Sequence, residues 1–188
     1  KNNGYVAVSL SDLKRALEGR AVLPSKPIIL TFDDGYRDFY TDAFPLLKKY
    51  KIKAINYIIV NHIGRSGNLD EVMINEMINS GLVEIGCHTL DHVYLPREKV
   101  PEVRRQITEC KKQLESRFGA LVRHFAYPGG YYSDWVVDLV KEAGFETAVA
   151  TVPGVVQTLD QVYSLKRLRV GNLDQATFGK HLAGPREE

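Results

Sequence analysis

The sequence has few cysteines, no long apolar run and no repeat or low-complexity tract. Cys87 and Cys110 are the only cysteines among 188 residues, which argues against a disulfide scaffold and fits either an oxidising or a reducing compartment. Apolar stretches are as short as "AINYIIV", whereas a membrane-spanning helix needs about 20 apolar residues. These absences argue against a small disulfide-stapled domain and a membrane-spanning helix. We interpret both cysteines as small core residues.

Strong charge of either sign is also missing. The 25 basic and 23 acidic side chains give a net charge of +2 without charge runs. There is thus no electrostatic footprint for nucleic acid or for an acidic membrane surface. No Gly-rich phosphate loop follows a predicted strand, so nothing indicates a nucleotide-binding fold. We therefore expect a partner that is uncharged or weakly charged.

What the sequence does contain is a repeated alternation of strands and helices. Runs such as "PIILTF", "LVEIGCH" and "ETAVATV" alternate with segments of helical periodicity, and "LDQVYSLKRLRV" adds a late strand. This order predicts parallel strands with crossover helices, as an α/β barrel or a doubly wound sheet. The 188 residues, 44% of them hydrophobic, predict one domain over 1–188. Its abrupt start reads like the middle of a domain, so we expect an N-terminal segment upstream.

Polar side chains gather where predicted strands end. Asp33 and Asp34 end one strand, His88 and His92 end another, and a glycine turn at Gly129 ends a third. Because the carboxyl ends of parallel strands meet at one rim, we expect these residues at one site. One carboxylate and two imidazoles spaced four apart can hold a divalent cation and leave positions open on it. Neighbouring side chains diverge, so the other aspartate is free to act as a base.

That combination predicts hydrolysis. A cation with open positions polarises an acyl oxygen and binds water, and the free carboxylate can take the proton of that water. A backbone N–H of the "PGG" turn can stabilise the oxyanion that forms. The expected substrate is therefore an amide or an ester.

Three motifs carry a family resemblance. In order and interval, "TFDDG", "EIGCHTLDH" and "FAYPGG" resemble the polysaccharide deacetylases of carbohydrate esterase family 4, with their NodB-type domain, from about Leu23 to Val170. The resemblance implies an α/β fold, a distorted (β/α) barrel with fewer than eight units. It implies one divalent metal ion, zinc first, with cobalt, nickel or iron as alternatives. The site residues it implies are the base Asp33, the metal ligands Asp34, His88 and His92, and the oxyanion amide of Gly129.

Two departures from the family pattern point to a subfamily. Most members brace the base with an arginine two positions before the proline of the third motif, where this sequence has Ala126. Here "FAYP" resembles instead the poly-N-acetylglucosamine deacetylases of biofilm matrix. Arg167 and Arg169 alternate with apolar residues, so one of them could replace the missing arginine. A solvated edge is the alternative for both.

The histidine that protonates the leaving amine in most family members is not evident either. The stretch "GKHLAG" does not match the family's C-terminal motif, and we interpret His181 as a helix-surface residue. In the biofilm subfamily this histidine comes from a segment before the first motif, so we expect it upstream of Lys1. We interpret His62 as a loop residue and His124 as a packed, hydrogen-bonded residue.

Aromatic residues follow the same strand ends. Sugars stack their apolar faces on aromatic rings, so rings beside the glycine turn suit a neutral glycan. We predict substrate-binding roles for Tyr127, Gly129, Tyr131, Tyr132 and Trp135. For Trp135 the alternative is that it packs its helix onto the sheet.

Together these features predict a metal-dependent de-N-acetylase of an extracellular N-acetylglucosamine polymer, with poly-β-1,6-N-acetylglucosamine of biofilm matrix first. We expect a monomer, secreted or at the cell surface, with a polysaccharide partner, peripheral membrane association and no nucleic acid. Peptidoglycan, chitin and acetyl-xylan are alternative substrates. The alternatives from other classes are a non-catalytic carbohydrate-binding remnant and a non-haem iron oxygenase, which shares the ligand set but normally has an antiparallel jelly-roll.

Overall fold

Parallel strands form the centre of the molecule. The computed structural model describes residues 3–182. A five-stranded sheet carries its strands in chain order, and a separate parallel pair precedes it. The pair is β1 (Val6–Ala7) and β2 (Pro27–Ile28), and the sheet comprises β3 (Thr31–Phe32), β4 (Ala54–Ile58), β5 (Val83–Cys87), β6 (His124–Ala126) and β7 (Thr147–Val149). A doubly wound sheet would reverse its strand order, so this curled sheet is a partial barrel and the predicted fold class is confirmed.

Helices connect successive strands, and a last helix follows β7. They are α1 (Leu10–Leu17), α2 (Phe44–Tyr50), α3 (Glu71–Asn79), α4 (Val100–Phe118), α5 (Asp134–Glu142) and α6 (Gln175–Leu182). The segment after β3 becomes a regular α-helix only at Phe44, after a π-helical turn over Phe39–Ala43. Pro45 explains that start, because proline is tolerated in the first turn of a helix but not in its interior. 

The strands bury both faces of the sheet. On β4, Ala54 and Ile58 belong to the large core, whereas Ile55 and Tyr57 belong to a smaller cluster with Leu10 of α1. The Tyr57 ring lies over its β5 partner Gly86, where a Cβ atom would come within 2.3 Å of the ring. Only glycine fits there, which explains a glycine inside a buried strand.

The two cysteines form a disulfide. Cys87 ends β5, Cys110 lies on the buried face of α4, and their Cα atoms are 6.1 Å apart. Both side chains are fully buried, so their predicted core positions are confirmed. Their pairing was not predicted from the sequence. Periodicity shows which face of an element is buried, but not which residues of two packed elements meet.

The late segment differs most from its prediction. The residues "LDQVYSLKRLRV" do not form a strand in the described chain, and one bridge, between Val149 and Leu165, pairs them with the sheet. The backbone N–H and C=O of Lys166 bond instead to the side-chain amide of Gln157, at 3.0 and 2.9 Å. A side chain thus satisfies groups that a neighbouring strand would otherwise have paired. Within residues 3–182, the helices are all too short or too polar to cross a membrane.

Candidate active site

Three side chains from two strand ends converge on one point. Asp34 follows β3, and His88 and His92 follow β5. The Nε2 atoms of both histidines lie 3.4 Å from Oδ1 of Asp34, and the three ligand atoms lie within 4.8 Å of one another. The structure therefore brings together the metal ligands proposed from the sequence, at the rim where the strands end.

The environment of His88 tests whether a cation fits this cluster. Its imidazole is buried, and Nδ1 lies 2.7 Å from the carbonyl oxygen of Ala126. A carbonyl oxygen only accepts, so Nδ1 donates to it and the Nε2 atom faces Asp34, as in a histidine that binds a metal through Nε2. Oδ1 of Asp34 is itself buried without a hydrogen-bond partner. Nε2 of His88 and this carboxylate oxygen thus face each other, as two ligand atoms of one divalent cation would.

The protonation states also suit a cation. Contact with the His88 imidazole lowers the pKa of Asp34, although burial opposes this effect. Burial, followed by the charge of His88, lowers the pKa of His92, against the opposing charge of Asp34. At neutral pH the cluster thus offers the Asp34 carboxylate and, at His92, a neutral imidazole, the forms in which these groups bind metals.

The backbone at these positions is unusual. Asp34, Thr89 and His92 have φ values of 73°, 65° and 59°, in the left-handed region that favours glycine. Each such residue costs on the order of 1 kcal/mol, so packing and hydrogen bonds must hold it in place. The Thr89 hydroxyl contributes by accepting from the His92 backbone N–H at 2.9 Å. 

The second aspartate is held by an arginine. Nη1 and Nη2 of Arg167 donate to Oδ1 and Oδ2 of Asp33, both at 2.8 Å. Arg167 also donates from Nε to the carbonyl oxygen of Ala150 at 2.8 Å and from Nη1 to Oγ1 of Thr31 at 3.1 Å. Burial lowers the pKa of Arg167, but the hydrogen bonds and charge of Asp33 raise it more, so the guanidinium stays charged. Of the two arginines considered from the sequence, Arg167 braces Asp33 and Arg169 is exposed.

The glycine turn after β6 presents a free amide. Gly129 has φ 63°, and within residues 3–182 its N–H donates to no protein acceptor, whereas the next N–H, of Gly130, bonds to the carbonyl oxygen of Tyr127 at 2.8 Å. A Cβ at Gly129 would lie 2.9 Å from the Tyr131 ring. Both the backbone angle and the ring therefore require glycine at this position.

A pair of tyrosines stands beside this turn. Tyr131 is 54% exposed and its ring centroid lies 4.7 Å from that of Tyr94, which is 37% exposed. The guanidinium carbon of Arg97 lies 4.8 Å from the Tyr94 ring. Tyr94 was not among the site residues predicted from the sequence, although its position two residues after His92 was a usable signal. The charge of Asp34 raises the pKa of the exposed Tyr36, which lies two residues further along the chain.

Three other aromatic predictions have different outcomes. Tyr127 is fully buried and its hydroxyl donates to the carbonyl oxygen of Tyr163 at 2.9 Å, so its side chain does not face the rim and its predicted substrate contact is wrong. Strand alternation explains this, because neighbouring residues point to opposite faces. Tyr132 and Trp135 are half-buried against the large core, which favours the packing alternative for Trp135.

Within the described residues, the ligand cluster includes no further histidine. His62 ends a short 3₁₀ turn, and its charge contributes to the lowered pKa of His92. The predicted packed role of His124 is confirmed, since it is buried and its ring contacts Oγ1 of Thr147 at 2.9 Å. The side chain of His181 lies outside the described part of the chain.

Comparisons with known proteins decide the family. The family described as polysaccharide deacetylase matches residues 20–148. The chain belongs to the polysaccharide deacetylase family. It is 28% identical to the solved Streptococcus pyogenes deacetylase PplD in complex with acetate, at a TM-score of 0.85, over 90% of this chain and 75% of that one. The parallel sheet shared with this deacetylase also contradicts the jelly-roll of the oxygenase alternative.

Curated relatives are longer than this chain. It is 30% identical to YxkH of Bacillus subtilis (strain 168), provisionally named a polysaccharide deacetylase, over 96% of this chain and 65% of that protein. It is 27% identical to a poly-β-1,6-N-acetyl-D-glucosamine N-deacetylase of Staphylococcus aureus (strain MRSA252), over 79% of this chain and 56% of that protein. The chain thus spans less than two thirds of the length of these deacetylases.

Proposed function

We propose that this domain removes acetyl groups from an extracellular N-acetylglucosamine polymer, poly-β-1,6-N-acetylglucosamine first, in a metal-dependent hydrolysis. One observation carries the proposal: Asp33, which Arg167 holds through both carboxylate oxygens, adjoins in sequence the carboxylate that joins the two histidines. One aspartate thus belongs to a ligand cluster and its neighbour remains a base. This division of roles is what amide hydrolysis with a bound cation needs.

Asp34, His88 and His92 would hold the cation. When bound, a divalent cation supplies Lewis acidity towards the acetamido oxygen and a water molecule. Zinc accepts one carboxylate and two imidazoles and leaves a position open, and cobalt, nickel and ferrous iron accept the same donors. Zinc is our first choice, with the others as alternatives.

The remaining steps belong to residues of this chain. Asp33 takes a proton from water as the water oxygen forms its bond to the acetyl carbon, and Arg167 keeps the carboxylate oriented. The free N–H of Gly129 donates to the oxygen on which negative charge develops. When the C–N bond breaks, that proton is available to the leaving nitrogen, so amide and water yield acetate and a free amine.

The substrate class rests on the relatives and the rim. A relative named a poly-β-1,6-N-acetyl-D-glucosamine N-deacetylase supports this polymer as the first choice. The exposed faces of Tyr94 and Tyr131 beside the glycine turn support a neutral sugar ring there, since aromatic rings bind the apolar faces of sugars. Peptidoglycan, chitin and acetyl-xylan are the competing substrates.

The disulfide bears on localisation. Disulfides persist in oxidising compartments and are rare in the cytosol, so the bond between Cys87 and Cys110 supports a secreted or cell-surface protein. Peripheral membrane association and a monomeric state stay predictions, testable by vesicle sedimentation and by light scattering.

Acetate release tests the proposal. The metal-stripped protein is assayed on poly-β-1,6-N-acetylglucosamine oligomers after return of zinc, cobalt or nickel, with Asp33→Asn as control. We expect release that depends on the metal and is lost in the variant. Parallel assays on chitin oligomers, peptidoglycan and acetylated xylan rank the substrates. Binding of oligomers without release under any metal would instead identify a non-catalytic carbohydrate-binding domain.

A further inference from the structure

The segment that carries both histidine ligands is short and conformationally demanding. Between His88 and His92 the chain passes through left-handed backbone at Thr89 and returns to it at His92 itself. Non-glycine residues keep such angles only when surrounding contacts hold them. The support of this segment therefore decides where the His92 imidazole lies relative to Asp34.

Much of that support comes from one side chain of α4. Gln106 is 1% exposed, and its Oε1 accepts from two consecutive backbone N–H groups, those of Leu90 at 3.0 Å and Asp91 at 3.1 Å. Its Nε2 donates to Oδ2 of Asp91 at 2.7 Å and to Oε1 of Glu102 at 2.9 Å. All the hydrogen-bonding atoms of this amide are thus used, three of its four bonds going to the two residues just before His92.

Asp91 also connects the segment that carries the histidine ligands to the turn after β4. Its Oδ1 accepts from Nδ2 of Asn61 at 2.6 Å, while Oδ2 is held by Gln106. The backbone N–H groups of Val60 and Asn61 also donate to the carbonyl oxygens of Thr89 and Leu90, at 3.2 and 3.0 Å. The ligand segment is therefore clamped between α4 and the turn after β4.

The same helix also fixes the start of the segment. Cys110, one helical turn after Gln106, is bonded to Cys87, the residue that precedes His88. Residues four apart lie on one face of a helix. One face of α4 thus reaches the ligand segment at both ends, through a covalent bond beside His88 and through hydrogen bonds beside His92.

We propose that Gln106 is a positioning residue for the metal site: by holding the Leu90 and Asp91 amides it places the His92 imidazole opposite Asp34. The inference rests on the proposed function, because it assigns the segment a bound cation. Gln106 itself contacts neither the cation nor the substrate. Its loss should weaken metal binding while the barrel stays folded.

The test compares Gln106→Met with Gln113→Met. Gln113 lies on the same helix and bonds to Arg117 at the surface, so it controls for the chemical change in α4. We expect Gln106→Met to raise the Kd for zinc about 10-fold, as loss of an outer-shell partner does, and to alter the visible spectrum of the cobalt form. Amide exchange at Leu90 and Asp91 in the metal-free protein should quicken. Gln113→Met should change none of these.

Several results would overturn the inference: an unchanged Kd in Gln106→Met, or an equal rise in both variants. If Gln106→Met does not fold, Gln106→Asn retains an uncharged amide on a side chain that is one methylene too short to reach both backbone N–H groups. We then expect faster exchange at Leu90 and Asp91 and a Kd for zinc raised by up to about 10-fold. Faster exchange with an unchanged Kd, or a roughly 10-fold weaker Kd with unchanged exchange, would count against the inference. Failure of the wild-type protein to bind any divalent cation would contradict the proposed function instead, and the exchange data would still report whether Gln106 holds the segment.

Discussion

Arg167 and Asp33, which lie 134 residues apart in the chain, form a bidentate ion pair with both N–O distances at 2.8 Å. The guanidinium approaches from the segment after β7. The end of β6, where most family members carry the arginine, has Ala126 instead, whose methyl side chain cannot donate a hydrogen bond. Parallel donation to both carboxylate oxygens fixes the plane of the carboxylate as well as its position. The expected brace of the base is thus present, but from another part of the chain.

Arg167→Lys should lower kcat without unfolding the protein. An ammonium cannot make two parallel hydrogen bonds, so Asp33 becomes free to turn, and misplacement of a catalytic group by about 1 Å costs on the order of 100-fold. We expect a 10- to 100-fold loss, about the range for such misplacement, in acetate release. Arg169→Lys changes an exposed neighbour in the same way and should leave the rate unchanged. Equal rates for the two variants would show that the ion pair between Arg167 and Asp33 does not contribute to catalysis.

Asp33→Asn and Asp34→Asn should separate the two carboxylates. Without its base the enzyme should lose about 10²- to 10⁴-fold in kcat, while zinc still binds, because Asp33 is not part of the ligand cluster. Asp34→Asn removes a charged ligand and should raise the zinc Kd by more than about 10-fold. Calorimetric titration with zinc measures the second effect. Tight zinc binding by Asp34→Asn would mean that the ligands are assigned wrongly.

Gly129→Ala should affect the rate, and Gly119→Ala only stability. The two glycines have nearly equal φ values, 63° and 62°, so each substitution costs about 1–2 kcal/mol in backbone strain. Only at Gly129 does the new Cβ meet a neighbour, the Tyr131 ring, whereas nothing lies within 4 Å of it at Gly119. Displacing the amide should lower kcat by up to the roughly 10²- to 10³-fold known for a lost oxyanion donor. A similar kcat in both variants would show that this amide is not used.

Tyr94→Ala should raise KM for long oligomers. The ring pairs with Tyr131 at the rim, and an aromatic contact is worth on the order of 1 kcal/mol, about fivefold in affinity. Steady-state kinetics on oligomers of increasing length measure the effect. Tyr50→Ala, at an exposed tyrosine at the end of α2, is the matched control. If KM rises equally for short and long oligomers, Tyr94 does not bind a neighbouring sugar ring.

The disulfide should contribute about 3 kcal/mol to the free energy of unfolding, as a closed loop of this length constrains the unfolded chain. For a domain of this size, the double variant Cys87→Ala/Cys110→Ala should then unfold about 6–12 °C lower. Differential scanning calorimetry measures the shift, and thiol titration of the denatured wild type should find no free cysteine. Two free thiols would contradict the pairing.

Local patterns in the sequence predicted the strands and helices around the site with few errors. The long helix α4 has apolar residues at spacings of three and four, the pattern that predicts an amphipathic helix. The late segment failed as a strand, since Gln157 satisfies the backbone of Lys166 from elsewhere in the loop. Tyr127 was assigned to the substrate from its motif, although strand alternation turns it into the core.

By itself the sequence determined the parallel architecture and the types of side chain that end each strand, because periodicity and motif spacing are properties of short stretches. Tertiary structure alone decided that Arg167 meets Asp33, that Cys87 pairs with Cys110 and that Gln106 holds the ligand segment. These contacts join elements whose relative register depends on how the helices pack on the sheet. Distances between elements far apart in the chain are set by the packed core, and no local pattern encodes them.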